Sequence, residues 1–120
     1  MLARISDVPD SVLGFRASGE LTGDDYRNVL VPAVQAALQS GGKLRLLYLL
    51  GDDVTGFTPG AAWQDTKVGM THPTRWGKIA VVTDKEWLRR SVDIFGYLIP
   101  GEIKAFTAVE EADARAWVQS

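Results

Sequence analysis

One short apolar stretch determines how this chain can fold: Leu44-Arg45-Leu46-Leu47-Tyr48-Leu49-Leu50. Turn signals bound it on both sides, with Gly41-Gly42 before it and Gly51-Asp52-Asp53 after it. Such a run is typical of a strand that is buried on both faces of a sheet. Helical patterns precede and follow it, so we expect the strand in the middle of an α/β sheet. A ligand of such a sheet would most naturally bind at the loop that leaves this strand, residues 51–59.

The two faces of this sheet follow from the alternation of side chains along a strand. We expect the core of one face to contain Phe15, Leu46, Tyr48, Leu50, Ile79 and Val81. Leu47 and Leu49 then pack on the opposite face.

Length and composition limit the class of protein. The chain has 120 residues, which fits one domain with a core of its own. It has no Cys, which excludes disulfides and thiolate chemistry. A net charge of −2 without a long basic run argues against a nucleic-acid partner. Without a membrane-spanning run or a signal-peptide pattern after Met1, the chain is expected to be cytoplasmic.

The chain before the central strand predicts a hairpin and a helix. Residues 1–5 and 12–21 have strand patterns, and the short turn between them favours antiparallel pairing. Leu13, Phe15, Ala17 and Gly19 share one face of the second of these strands. Thr22 and Asp25 form a capping box at the start of the helix, and Pro32 should kink it. Gly41-Gly42 ends the helix.

The rest of the chain alternates helices and strands. The predicted elements are a helix over 58–70 that begins at Thr58-Pro59, a strand over 78–83, a helix over 85–98 capped by Asp84, a strand over 102–107, and a helix over 110–118 whose Ala112, Ala116 and Trp117 face the core. The order ββαβαβαβα indicates a single α/β domain with a mixed, mostly parallel sheet flanked by helices.

Motifs along nearly the whole chain resemble one family. They are Gly19-Glu20-Leu21-Thr22-Gly23-Asp24-Asp25-Tyr26, Val29-Leu30-Val31-Pro32, Phe57-Thr58, Ala62-Trp63-Gln64-Asp65, the segment 75–84 with Trp87, Lys104-Ala105-Phe106, and Glu111-Ala112 with Trp117. In order and spacing the chain resembles the SpoIIAA-like family, a branch related to STAS domains. The resemblance implies a mixed sheet with an apolar cavity under a mobile helix pair, binding of a lipid or small ligand, and association with a membrane surface.

The chain departs from the STAS pattern at one position. STAS anti-sigma antagonists carry a phosphorylated Ser at the start of the helix after the central strand. Residues 51–58 contain no Ser, and Thr55 and Thr58 are their only hydroxyls. The resemblance therefore does not carry the phosphoswitch over to this chain.

The two acids after the central strand, the single histidine and the glycine-rich loop each have two interpretations. Asp52, Asp53 and Thr58 form a candidate loop site, and the two acids could act as an acid/base pair or could simply be solvated in a turn. His72 is the only histidine, and it is either a catalytic base or a loop residue before Pro73. The glycines of residues 51–60 match no phosphate-binding or dinucleotide-binding motif, so we expect no cofactor or metal. These glycines either hinge a mobile lid over residues 54–70 or form an ordinary flexible loop.

The helix over 85–98 carries two apolar stripes. Leu88, Val92, Phe95 and Ile99 can cover the sheet, and Trp87, Ile94 and Leu98 form a second stripe. The second stripe either packs against Trp63 or lines a ligand pocket. The pocket hypothesis places Phe57, Trp63, Trp87 and Ile94 around an acyl chain, with Arg89 and Arg90 at its anionic head. Alternatively, these arginines form a solvated helix face.

Three functions remain open at this stage. The preferred one is a non-catalytic module that binds a lipid-like or other apolar small molecule and contacts a membrane peripherally. The second is a protein-interaction module of the STAS kind, and a homodimer is an alternative partner for the second stripe. The third is an enzyme that uses Asp52, Asp53 or His72.

Overall fold

The computed structural model describes residues 1–39, 42–57, 76–95 and 102–120. The described elements are β1 (Leu2–Arg4), β2 (Leu13–Ala17), β3 (Glu20–Leu21), α1 (Gly23–Asp25), a π-helical turn (Tyr26–Leu30), α2 (Val31–Gln39), β4 (Leu44–Leu50), β5 (Gly56–Phe57), β6 (Trp76–Val82), α3 (Glu86–Phe95), β7 (Glu102–Phe106), a 3₁₀ turn (Ala108–Glu110) and α4 (Glu111–Gln119). The helix predicted over 58–70 lies outside the described residues.

Five strands form one mixed sheet in the order β1-β2-β4-β6-β7. β1 pairs with β2 antiparallel, and β2, β4, β6 and β7 are parallel to one another. The predicted hairpin and the central position of β4 are both confirmed. β3 and β5 form a separate parallel pair.

Each face of the sheet has its own hydrophobic core. The first core contains all six residues predicted for that face, Phe15, Leu46, Tyr48, Leu50, Ile79 and Val81, together with residues of α2 and α3. The second core contains Leu47 and Leu49 with Ala114 and Val118 of α4. The prediction of a strand buried on both faces is therefore confirmed. Successive side chains of a strand point to opposite faces, so this apolar run needs cover on both of them.

The strand predicted over 12–21 is interrupted, which corrects the placement of Gly19 on its face. β2 ends at Ala17, and Gly19 has a φ of 63°, in the left-handed region that glycine enters without steric cost. The chain turns there, and Glu20 and Leu21 pair with Gly56 and Phe57 instead of continuing along the main sheet.

The first helical segment begins with the predicted capping box. The Thr22 hydroxyl accepts from the Asp25 backbone N–H at 3.2 Å, and the Asp25 carboxylate accepts from the Thr22 N–H at 2.9 Å. A π-helical turn lies just before Pro32, and in it the Val31 N–H bonds to the Tyr26 carbonyl. The kink predicted at Pro32 stays a prediction. Proline has no N–H to donate and crowds the carbonyl four residues earlier, so a widened turn accommodates it.

Removing the cap should destabilise the domain, most visibly above acidic pH. Thr22→Ala deletes an N-cap acceptor and should lower the free energy of unfolding by about 1 kcal/mol at pH 7. The backbone N–H of Thr22 is the main reason that the pKa of Asp25 lies below its ordinary value of 3.8. A lowered folded pKa means that this carboxylate stabilises the fold above pH 3.8 and that its contribution is lost as the pH falls through the folded pKa.

Urea denaturation at pH 7 and at pH 3 measures both effects. Thr22→Ser is the matched control and should keep the stability of the wild type. Equal midpoints for Thr22→Ala and Thr22→Ser at pH 7 would show that the cap contributes nothing.

The final helix presents a different face to the core from the predicted one. Ala114 and Val118 are buried and Trp117 is partly buried, whereas Ala112 and Ala116 are exposed. The prediction was therefore wrong for both of these alanines and correct for Trp117. Alanine is small enough to lie on either face, so the larger side chains of Trp117 and Val118 determine which face of the helix turns toward the core. Ala114 lies one turn before Val118 and is therefore buried on the same face.

Candidate functional site

The loop after the central strand is held at several points. Val54 is fully buried, and the Gly51 N–H bonds to the Ala17 carbonyl at 3.2 Å. The Thr55 N–H bonds to the Gly19 carbonyl at 3.0 Å, just before β5 pairs with β3. These contacts fasten residues 54–57, the start of the predicted lid, to the ends of β2 and β3. The mobility of the lid stays a prediction. The rest of the predicted lid lies outside the described residues.

The two acids of this loop are exposed and belong to a turn. Asp52 and Asp53 both face solvent. A Cβ on Gly51 would lie 2.8 Å from the Asp53 Oδ1, so glycine leaves room for that carboxylate to fold back over its own turn. Among the described residues, no three His, Cys, Asp or Glu side chains come together as a metal site. Thr58 and His72 lie outside the described residues.

The neighbouring strand ends in a closely bonded junction. Thr83 is buried; its hydroxyl accepts from the Lys85 N–H at 3.1 Å, and its carbonyl accepts from the Arg89 Nη1 at 3.0 Å. Asp84, predicted to cap α3, places its Oδ1 2.9 Å from the backbone N of Ala108. This bond ties the loop after β6 to the loop after β7.

The loop after β7 contains a capping arrangement that the sequence analysis missed. The Glu110 carboxylate accepts from the Thr107 N–H at 2.8 Å and from its hydroxyl at 3.0 Å. The pKa of Glu110 lies below its usual range, chiefly because its carboxylate accepts a hydrogen bond from the Thr107 backbone N–H. The spacing Thr107-x-x-Glu110 was the signal that could have revealed it.

Helix α3 turns one side to the core and another to solvent. Leu88 is buried and Val92 packs against the first core, as predicted for the stripe that covers the sheet. Trp87 is 46% exposed. The arginines do not converge on a shared point, because Arg89 bonds back to Thr83 and Arg90 pairs with Glu86 at 2.6 Å.

Near the ends of β6 and β7, two large apolar side chains of the described residues lie exposed. They are Trp87 on α3 and Val109, which is 93% exposed in the 3₁₀ turn. The bond between Asp84 and Ala108 joins the loop that precedes α3 to the 3₁₀ turn that contains Val109. We refer to Trp87 and Val109 as the edge patch. The sequence pattern pointed to Trp87 but not to Val109, which follows a strand and fits no helical stripe.

A family model described as SpoIIAA-like matches residues 12–119. The chain belongs to the SpoIIAA-like family. The resemblance seen in the sequence is thereby confirmed, and members of this family are in general not enzymes.

One solved structure is similar to this SpoIIAA-like domain over almost all of its length. It is an uncharacterized protein from the DUF3478 family with a SpoIIAA-like fold, from Shewanella loihica PV-4. The sequence identity is 26%, the TM-score is 0.77, and the match covers 98% of this chain and 93% of that chain. A search among curated proteins found no match.

The ligand pocket predicted from the sequence is described in part. Of its four apolar residues the structure describes the side chain of Trp87 alone, since Trp63 and the side chains of Phe57 and Ile94 lie outside the described part. The pocket of this SpoIIAA-like domain therefore stays a prediction. No helix within the described ranges is long and apolar enough to cross a bilayer.

Proposed function

We propose that this SpoIIAA-like domain is a non-catalytic protein-binding module and that it docks its partner through the edge patch. The observation that supports this is the exposure of Trp87, at 46%, on a helix whose neighbouring Leu88 is buried. Tryptophan is enriched among the few residues that contribute most of the binding free energy at protein interfaces. Val109, 93% exposed in the 3₁₀ turn after β7, provides a second exposed apolar side chain.

The polar groups around the edge patch can form a rigid polar rim because they are already hydrogen-bonded within the domain. Asp84 is bonded to Ala108, Glu110 to Thr107, and Arg90 to Glu86. Groups that are already bonded within the domain hold the apolar residues in position, and they are poor candidates for proton transfer to a substrate. A polar rim around an apolar centre is the usual anatomy of a protein interface.

Replacing the anchor Trp87 should strongly weaken partner binding without affecting the fold. We expect Trp87→Ala to weaken binding of a specific partner by about 30-fold or more, the effect of losing a strong interface anchor. Tagged wild type and variants are used to capture proteins from lysate of the source cells, with quantitative mass spectrometry, and the affinity of the captured protein is then measured in purified form. Ala116→Ser on the exposed face of α4 is the control and should bind like the wild type. A partner that binds Trp87→Ala as tightly as the wild type would contradict this docking surface.

A second candidate function is binding of a lipid-like molecule or membrane surface. Trp87 lies on the same helix as Arg89 and Arg90, and an aromatic side chain beside cationic ones suits an anionic lipid interface. Vesicles of phosphatidylglycerol in phosphatidylcholine and a fluorescent fatty acid test this function. Binding that is lost in Trp87→Ala supports the lipid function over the protein partner. A concentration-dependent dimer lost in the same variant indicates a second copy of this chain.

A further inference from the structure

Strand β7 forms one edge of the main sheet. It pairs with β6 on one side, and no other described strand lies along its second side. The opposite edge of the sheet is β1, which has three residues, and very short edge strands resist further pairing. β7 has five residues, Glu102–Phe106, so it presents the longer row of backbone groups to an additional strand.

Alternate residues of β7 direct their backbone groups away from the sheet. The Phe106 carbonyl accepts from the Thr83 N–H at 2.9 Å, so the backbone groups of Phe106 point toward β6. Because this direction alternates along a strand, Ile103 and Ala105 direct their N–H and C=O groups outward. The next outward N–H, that of Thr107, is already bonded to a carboxylate of the following 3₁₀ turn at 2.8 Å. The row of available backbone groups therefore ends at Ala105.

Two opposite charges lie beside this row. The side chains of Glu102 and Lys104 are exposed and share one face of the strand. Neither takes part in an ion pair with another described residue. The Lys104 Nζ lies 5.2 Å from the centre of the Phe106 ring, which keeps its charge on that face. Ile103, between the two charges, packs against the first core on the other face.

One antiparallel register of β7 with a second copy of itself joins these opposite charges. Centred on Ile103, the pairing sets Glu102 of each copy opposite Lys104 of the other, at positions without mutual hydrogen bonds, where side chains approach most closely. Centred on Glu102 or on Lys104, it sets like charges against each other, which is how an edge lysine usually prevents pairing. Centred on Ala105, it requires the N–H of Thr107, which is already bonded.

We infer that this domain forms a homodimer in which β7 pairs antiparallel with β7 of a second copy, centred on Ile103. The pairing joins two five-stranded sheets into one continuous sheet. A two-fold axis at Ile103 makes the two contacts between Glu102 and Lys104 equivalent, as in the commonest class of homo-oligomer. Because the paired strands are short, the interface is small and the dimer dissociates on dilution. This surface is distinct from the edge patch and goes beyond the proposed function.

Exchanging the charges across the two-fold axis tests this register. Lys104→Glu sets glutamates opposite each other and Glu102→Lys sets lysines opposite each other, so each variant alone should weaken the dimer about tenfold or more. An equal mixture of the two variants should form a heterodimer about as tightly as the wild type, because both contacts then join opposite charges again.

Two effects within a single copy are separated from dimer formation by the same set of variants. Glu102→Lys places a cation opposite Lys78 of β6, and Lys104→Glu removes the cation beside the Phe106 ring. Both effects persist in the mixture, so recovery there reports on the contacts between copies. The double variant with both substitutions should also dimerise like the wild type.

Sedimentation velocity of the purified chain measures these equilibria at loading concentrations from about 10 µM to about 1 mM. Added sodium chloride should weaken the wild-type dimer, since the exposed charge pairs are screened. Trp87→Ala, at the edge patch, is the control and should dimerise like the wild type. The inference is overturned if the wild type is monomeric throughout this range, or if neither the mixture nor the double variant recovers wild-type affinity. A dimer that is lost in Trp87→Ala also overturns it, because the interface would then lie at the edge patch.

Discussion

Replacing Leu47 with alanine should lower the free energy of unfolding by about 2–5 kcal/mol, toward the upper end of that range. Leu47 is fully buried in the middle of the central strand. Its partners on the flanking strands are Gly14 and Ala80, which have little or no side chain to move into the gap. A Cβ on Gly14 would lie only 2.5 Å from a side-chain carbon of Ile5, so the space above Gly14 is already occupied. The cavity left by Leu47→Ala therefore stays largely open.

Urea denaturation of the purified domain measures this loss. Val109→Ala is the matched control, because Val109 is 93% exposed and its truncation should change stability by less than about 0.5 kcal/mol. Leu49→Ala, on the same face of the same strand, should also fall within the range for buried leucines. Equal midpoints for Leu47→Ala and wild type would show that the strand is not buried on its second face.

The sheet was predictable because its signal is local and periodic. A seven-residue strand with six apolar residues, bounded by turns, is best satisfied by burial on two faces, and alternation then assigns Leu46 and Leu47 to opposite cores. The capping box at Thr22 and Asp25 was predictable for the same reason, since both partners lie within one turn.

The features that the sequence did not reveal depend on contacts between distant segments. The pairing of β4 with β6 shifts register between Leu44 and Leu46, and no pattern within either strand indicates this irregularity. The exposure of Val109 follows from how β7 ends in a 3₁₀ turn, which is a property of the assembled sheet. The predicted ligand pocket depended on helix-to-helix packing through Trp63, outside the described residues.

A buried pair of hydroxyls joins the first helical segment to the central strand. The hydroxyl oxygens of Tyr26 and Tyr48 lie 2.9 Å apart. Tyr26 begins the π-helical turn and is 1% exposed, and Tyr48 lies in the middle of β4 and is 7% exposed. Both residues belong to the first core, so water is a poor substitute for this bond. The pair therefore fixes the widened turn against the sheet.

Removing one of these hydroxyls from the wild type should lower the free energy of unfolding more than removing the other from a variant that already lacks the first. Tyr26→Phe and Tyr48→Phe should each lower the free energy of unfolding by about 1–3 kcal/mol, because each leaves a buried hydroxyl without its partner across the core. The double variant has lost both hydroxyls, so its loss should fall short of the sum by about 1 kcal/mol. Urea denaturation of the four proteins gives this coupling free energy directly. If the losses simply add, the hydroxyls contribute through their other contacts, and the π-helical turn is held to β4 by apolar packing alone.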